Sequence, residues 1–280
     1  MRSAFSMVEI ILVIVLVGII GISSFEIVNV IFQNYAQSRT INLLQNQTEL
    51  TLEMIAKRLS YRIKDSVIAR SENGDFKLLN SQNINKDHKI LEFIAYSHDA
   101  FNAGVYSGFA DLVASDSKNG LKTPLSNLTL GKEIFSDLSN KTVNFSDVNG
   151  GVIAIFGGIA YNESSFGYDG LPAKDIAKVA IQNSTTLKIS DDFSGKISEQ
   201  YHLAHSAYAL VPQNDSGDKF DLLLYYNYRP WHRQNYKNGE SSILAQNLTQ
   251  FSFSEQNGAI IIKICLKDGE LVVCKSKAVT

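Results

Sequence analysis

Cysteine is scarce in this chain, with two among 280 residues, Cys265 and Cys274. That excludes a disulfide-dense scaffold and cysteine-rich zinc modules. Proline is also scarce, at four, and neither proline nor glycine occurs between Ile22 and Asn73. Histidine numbers five, and the chain has no H-E-x-x-H, no G-x-S-x-G and no glycine-rich phosphate loop. No motif therefore defines a nucleophile or a metal centre. A large excess of one charge is missing too: 26 Lys and Arg against 28 Asp and Glu give a net −2. This balance argues against a strongly basic nucleic-acid-binding body and leaves a local patch open. With 45% hydrophobic and 19% charged residues the composition is globular, which excludes a wholly disordered chain. Mean hydropathy of −0.04 excludes a polytopic membrane protein. An average over the chain can still conceal one span.

One span is present. Arg2 is the only basic residue before Arg39, and between them runs Phe5 to Phe25, FSMVEIILVIVLVGIIGISSF. As a helix this stretch measures roughly 31 Å, about the thickness of a bilayer core. An N-terminal Arg ahead of such a run predicts a cytoplasmic N-terminus and an exported C-terminal body. A cleaved signal peptide would need a small-residue site after its apolar core, and Ser23 and Ser24 supply no A-x-A pattern. Glu9 lies inside the run, where a carboxylate costs about 2.5–3.5 kcal/mol on insertion scales and calls for a partner.

The segment Ala4-Phe5-Ser6-Met7-Val8-Glu9, followed by Ile10 to Ile22, resembles the N-terminus of type IV prepilins and type II secretion pseudopilins. With Phe5 as first mature residue, Glu9 falls at mature position five and Gly18 at fourteen, where the family commonly has glycine. The resemblance implies cleavage between Ala4 and Phe5 by a prepilin peptidase and N-methylation of Phe5. It also implies pairing of the Glu9 carboxylate with the α-amino group of a neighbouring subunit. Such a pair offsets part of the cost of burying each ion and sets axial register. The chain departs from the pattern twice. Ala4 stands where the family usually has Gly, which bears on cleavage efficiency. Glu26 stands where major pilins often carry Pro, which argues for an unkinked helix and against a major subunit.

Beyond the span, Ile41, Leu44, Thr48, Leu52, Ile55, Leu59, Ile63 and Val67 recur at spacings of three and four. This stripe predicts that one helix continues to about Ala69, ending at Glu72-Asn73-Gly74-Asp75, with its stripe packed on the chain's own sheet. Candidate strands follow at Lys89–Ser97, Gly151–Tyr161, Ala177–Ser190 (a hairpin near Asn183-Ser184), Ala204–Val211 and Lys219–Tyr228. Leu248–Ser254, Ala259–Leu266 and Glu270–Lys275 complete the expected sheet. A short helix is expected around Gly108–Ala114. The predicted class is α+β, pilin-like: one long N-terminal helix, transmembrane in its first half, packed on an antiparallel C-terminal β-sheet domain. The expected organisation is a leader at 1–4, a transmembrane half at 5–27, a periplasmic helix half at 28–70 and a globular β-rich domain at 71–280. Ser242 to Phe253 looks like the ending of J-type minor pseudopilins, a helix turn before an F-x-F strand and an I-x-I-x-L strand.

Four smaller patterns remain. Cys265 and Cys274 flank the last predicted turn, and an exported body lies in an oxidising compartment, so they are a candidate disulfide. A two-residue turn at Asp268-Gly269 gives the better side-chain pairing but sets Cys265 opposite Val272. A turn at Gly269-Glu270, with Gly first, sets Cys265 opposite Cys274. The disulfide thus requires the second register, a bulge or a wider loop. Asp215, Asp218 and Asp221 surround a Gly turn and are a candidate calcium set, without the full EF-hand pattern. His202 and His205 have metal-like spacing only on a helix, and the stretch reads as strand edge or loop. Tyr225, Tyr226, Tyr228, Trp231 and Tyr236 read mainly as core and sheet packing.

The function expected is structural, not enzymatic: a minor pseudopilin of the inner membrane that joins or primes a type II secretion pseudopilus. Its partners would be other pilin-like subunits, the prepilin peptidase and methylase, an inner-membrane assembly platform and membrane lipid. No cofactor is expected apart from the calcium candidate. The alternatives are a minor type IV pilin of a pilus or DNA-uptake system, where nucleic acid becomes a partner, and a single-pass anchored periplasmic enzyme or binding protein.

Overall fold

The computed structural model describes residues 7–81, 84–116, 120–162 and 164–280, with all their side chains except those of Ser23 and residues 214–216. The first element is a single unbroken helix, α1, Met7–Leu59, about 80 Å long at 1.5 Å per residue. Its residues from Met7 to Arg39 are exposed wherever the side chain is described. From Leu44 onward one face is buried: Leu44, Thr48, Leu52, Ile55, Ala56 and Leu59. That is the sequence stripe, docked on a sheet as expected.

The helix stops ten residues short of the expected Ala69. Ile63 and Val67 continue the spacing but lie outside it, and Ile68–Arg70 is a strand, β1. No glycine or proline ends α1; tertiary bonding does. The Arg62 guanidinium donates to the Leu59 carbonyl at 2.9 Å and to the Gly258 carbonyl at 3.0 Å. It thereby caps the helix and ties its end to a distant hairpin. Arg62 then bridges Ala95, and the Ile63 amide donates to the Ile94 carbonyl. The β-branched residues that follow favour extended backbone.

The next elements are β2 (Phe76–Leu78), β3 (Ile90–Ile94), a short α2 (His98–Asn102), β4 (Asp111–Asp116), β5 (Gly120–Lys122) and α3 (Gly131–Leu138). After them come β6 (Ile153–Phe156), β7 (Ala177–Asn183), β8 (Thr186–Ile189), β9 (Tyr201–Ala204) and β10 (Ala207–Ser216). The chain closes with β11 (Lys219–Tyr228), β12 (Glu240–Gln256), β13 (Ala259–Asp268) and β14 (Leu271–Val279).

Among the described residues the strands form two antiparallel sheets, where a single sheet was expected. The larger runs β14-β13-β12-β11-β10-β3-β1-β2 and the smaller β4-β5-β8-β7-β6-β9. Alternation along each strand divides the large sheet's faces. Leu91, Phe93, Leu210, Leu222, Leu224, Leu248 and Ile262 pack with the α1 stripe. Ile90, Ile94 and Ala209 point the other way and meet Ile153, Ile155 and Ala204 of the small sheet, with Tyr228 and Trp231 buried among them. The small sheet encloses its own cluster around Phe135, Phe145, Phe156 and Tyr201.

Three further expectations are corrected. The stretch around Gly108–Ala114 is a turn leading into β4, not a helix. The Asp111 carboxylate accepts from the Val113 and Ala114 amides, as a helix cap would, but Gly108 at φ +76° and the Phe109–Gln200 bridge hold the chain extended. Ala204–Val211 is two strands, because the chain leaves the small sheet after Ala204 and enters the large one at Ala207. Ser242–Asn247 lies within β12, with Ile243 opposite Leu223 and Ala245 opposite Leu222. The helix turn implied by the J-type likeness is therefore extended strand.

Candidate functional site

The site is the exposed part of α1. The apolar run is long enough to cross a membrane, and none of its best 18-residue window is buried within the chain. A helix suits that setting because it satisfies every backbone polar group internally. Glu9 lies in its first turn and is exposed. An acid there also complements the positive end of the helix dipole. Ala4 and Phe5, the expected cleavage and methylation positions, lie outside the described residues.

The apolar surface does not end with the span. Phe25, Ile27, Val28, Val30, Ile31, Phe32 and Tyr35 are all exposed, Phe25 at 73% and Phe32 at 71%. Met7 to Tyr35 measures about 43 Å as a helix, against about 30 Å of hydrocarbon. Further along, Leu43, Leu50 and Met54 are exposed on the side turned away from the sheet. At 100° per residue they continue the face of Phe25 and Phe32. The stripe from Ile41 to Val67 predicts packing on the sheet. The sequence also carries this second stripe, spaced by seven and four, on the opposite face.

The far end of α1 is held by the C-terminal hairpin. Lys275 donates to Glu49 at 2.7 Å and Lys277 pairs with Glu53. Lys275 is the cause of the lowered Glu49 pKa, through its hydrogen bond first and its charge second. The hairpin itself is cross-linked by a Cys265–Cys274 disulfide. Cys265 pairs directly with Cys274, and Asp268 with Leu271. The turn is thus Gly269-Glu270, the second of the two registers considered. Gly269 has φ +57°, the left-handed first position of the turn, which a glycine adopts without steric cost. In this register Ile264 and Leu266 face α1, and the disulfide lies on the other face.

The remaining candidates lie in the globular domain. Among the described residues no group of three or more His, Cys, Asp or Glu side chains could hold a metal ion. Asp221 accepts from the Gln246 side chain and the Asn247 amide, Asp218 is exposed in the hairpin turn, and the Asp215 side chain lies outside the described residues. His202 stacks on Tyr96 at 4.7 Å, while His205 is buried and bonds Ser97 Oγ through Nδ1 at 2.5 Å. That Ser–His contact lies on a cleft of about 730 Å³ shared with Tyr61, Tyr96, Tyr208 and Tyr226. Burial, then the nearby Arg229 charge, lowers the His205 pKa to about 4. Such an imidazole is a poor general base at neutral pH, and the Ser97 amide is already bonded to the Leu203 carbonyl. The contact fixes the crossing between the two sheets. In the aromatic group, Tyr228, Trp231 and Tyr236 are buried core and Tyr225 packs edge-on against Tyr236.

No family model, no curated protein and no solved structure matches this chain.

Proposed function

We propose that this chain is a pilin-like structural subunit, a minor pseudopilin whose exposed helix assembles with the helices of other such subunits. One observation carries the reading: α1 keeps apolar side chains exposed over a length that a bilayer alone does not cover. A plain anchor needs only about 20 apolar residues. The excess is explained if other helices cover Phe25 to Tyr35 once the subunit leaves the membrane. The Ala4-Phe5-Ser6-Met7-Val8-Glu9 pattern supports the same reading. In it, a prepilin peptidase frees and a methylase modifies Phe5. Glu9 then pairs with a neighbour's α-amino group, and the two-sheet domain stays on the periplasmic side. The work of extraction falls to the assembly platform, and this chain contributes shape and register. The machine is a secretion pseudopilus in this reading.

Mass spectrometry of the N-terminus tests the proposal in native membranes. The expected first residue is N-methyl-Phe5. An intact Met1, or cleavage after residue 22, overturns it. Glu9→Ala is expected to insert normally and to fail in assembly.

A further inference from the structure

We propose that Glu26 selects a different subunit as the neighbour of this helix, one that supplies a Lys or Arg at its level, and disfavours pairing with a second copy. The inference rests on the helix-assembly reading above and concerns who the neighbour is.

Glu26 is an exposed helical residue set among Phe25, Ile27, Val28, Val30, Ile31 and Phe32. Asn29 and Gln33 follow it at i+3 and i+7, so the three make one polar stripe on an otherwise apolar surface. Any neighbour that covers the apolar residues also desolvates part of this stripe. A buried carboxylate without a cation costs several kcal/mol. This chain cannot supply that cation to itself. No Lys, Arg or His lies between Arg2 and Arg39, a helical distance of about 55 Å.

A second copy fails for the same reason. Two parallel copies in register place Glu26 beside Glu26, which is repulsive. A four-residue stagger, about 6 Å, brings Glu9 of one copy level with Phe5 of the other. It sets Glu26 level with Ile22 or Val30, both apolar. Bringing Arg39 to Glu26 requires a slide of thirteen residues, about 20 Å, which takes Glu9 away from the neighbour's N-terminus. Antiparallel packing is excluded for copies inserted with one topology. A helix with a basic residue satisfies both the apolar surface and the charge, in the way a single polar seam position fixes partner and register in coiled coils.

The test uses the full-length chain in liposomes, with fluorescence transfer between labelled globular domains. Wild type is mixed with Glu26→Lys protein as the probe partner. Mixed pairs are expected to associate roughly tenfold more tightly than either homotypic pair. Glu26→Leu protein should self-associate more tightly than wild type. Equal association in all combinations overturns the proposal, as does Glu26→Leu pairing no better than wild type. Position 26 is remote from the domain core, and an intact disulfide and unchanged domain melting show that each variant is folded. The outcome is independent of N-terminal processing. Charge-dependent pairing with an intact Met1 keeps this inference and removes the pilin reading; N-methyl-Phe5 with charge-blind pairing does the reverse.

Discussion

The two ends of α1 share one secondary structure but dispose of their apolar side chains differently. From Leu44 to Leu59 one stripe is buried against the large sheet. From Met7 to Tyr35 the large apolar side chains are exposed. Helical backbone alone does not distinguish the two. What differs is that the second half alternates apolar with polar positions, so one face is spent internally. The first half is apolar around most of its circumference, and only other molecules can cover it.

The sharpest way to break that contrast is a pair of truncations. Ile55→Ala or Leu59→Ala removes a side chain that is at most 1% exposed and should destabilise the globular domain by about 2–5 kcal/mol. Leu16→Ala, at 50% exposure, should leave domain unfolding unchanged in a detergent denaturation series. A comparable loss from Leu16→Ala would show that the first half is also part of the domain's own fold.

Much of this contrast is legible in the sequence, and the exceptions have physical causes. Lys219–Tyr228 is a strand over the residues expected, because β10 and β12 pair with its two edges and Leu222, Leu223, Leu224 and Tyr228 are buried. Pro212 is tolerated in β10 because the β3 partner ends at the Leu210–Leu91 pair. The end of α1 is not legible, since Arg62 stops it through carbonyls of Gly258 and Val279, nearly 200 residues or more away. The division into two sheets is equally hidden. It turns on a two-residue step, His205-Ser206, held by the buried Ser97 contact. In the C-terminal hairpin the pairing that looked better by side chains lost to the register with glycine at the φ +57° position.

That buried contact gives the next largest effect, confined to the globular side. His205 has a folded pKa of about 4 against an ordinary 6.5. Above pH 6.5 it is neutral in both states and the domain is fully stable in this respect. As pH falls from 6.5 to 4 the unfolded chain takes up a proton that the folded domain refuses. Stability therefore declines across that window and levels off below it, by about 3 kcal/mol at most. Subtracting the His205→Gln stability curve from the wild-type curve should isolate this loss. A flat difference would show that the imidazole protonates freely in the fold.

Reducing the disulfide comes next. It closes a loop with a sequence separation of 9, which corresponds to about 2–3 kcal/mol in the chain-entropy description. The loss should appear as earlier denaturation of the domain after treatment with reductant, with helical content of the exposed half of α1 unchanged. No shift on reduction would mean that β13 and β14 hold their register without the cross-link.

The smallest effect bears most directly on where one half of α1 passes into the other. Lys275 and Lys277 reach from the edge strand β14 to Glu49 and Glu53, on the solvent flank of the docked stripe. Exposed ion pairs are screened and lose side-chain entropy, so Lys275→Ala with Lys277→Ala should barely move the domain's melting temperature. Their geometry gives them a second consequence. The two pairs are one helical turn apart, and both join the helix to β14, the outermost strand of the large sheet among the described residues. Removing them should loosen the helix at this level before the domain unfolds. The expected signature is faster amide exchange at Glu49 to Glu53, largest at low salt in the comparison with wild type, with Ile55 to Leu59 unaffected. Exchange that rises equally through Leu59 would place the limit of the docked half further along the chain, and identical exchange in both proteins would show that apolar packing alone holds it.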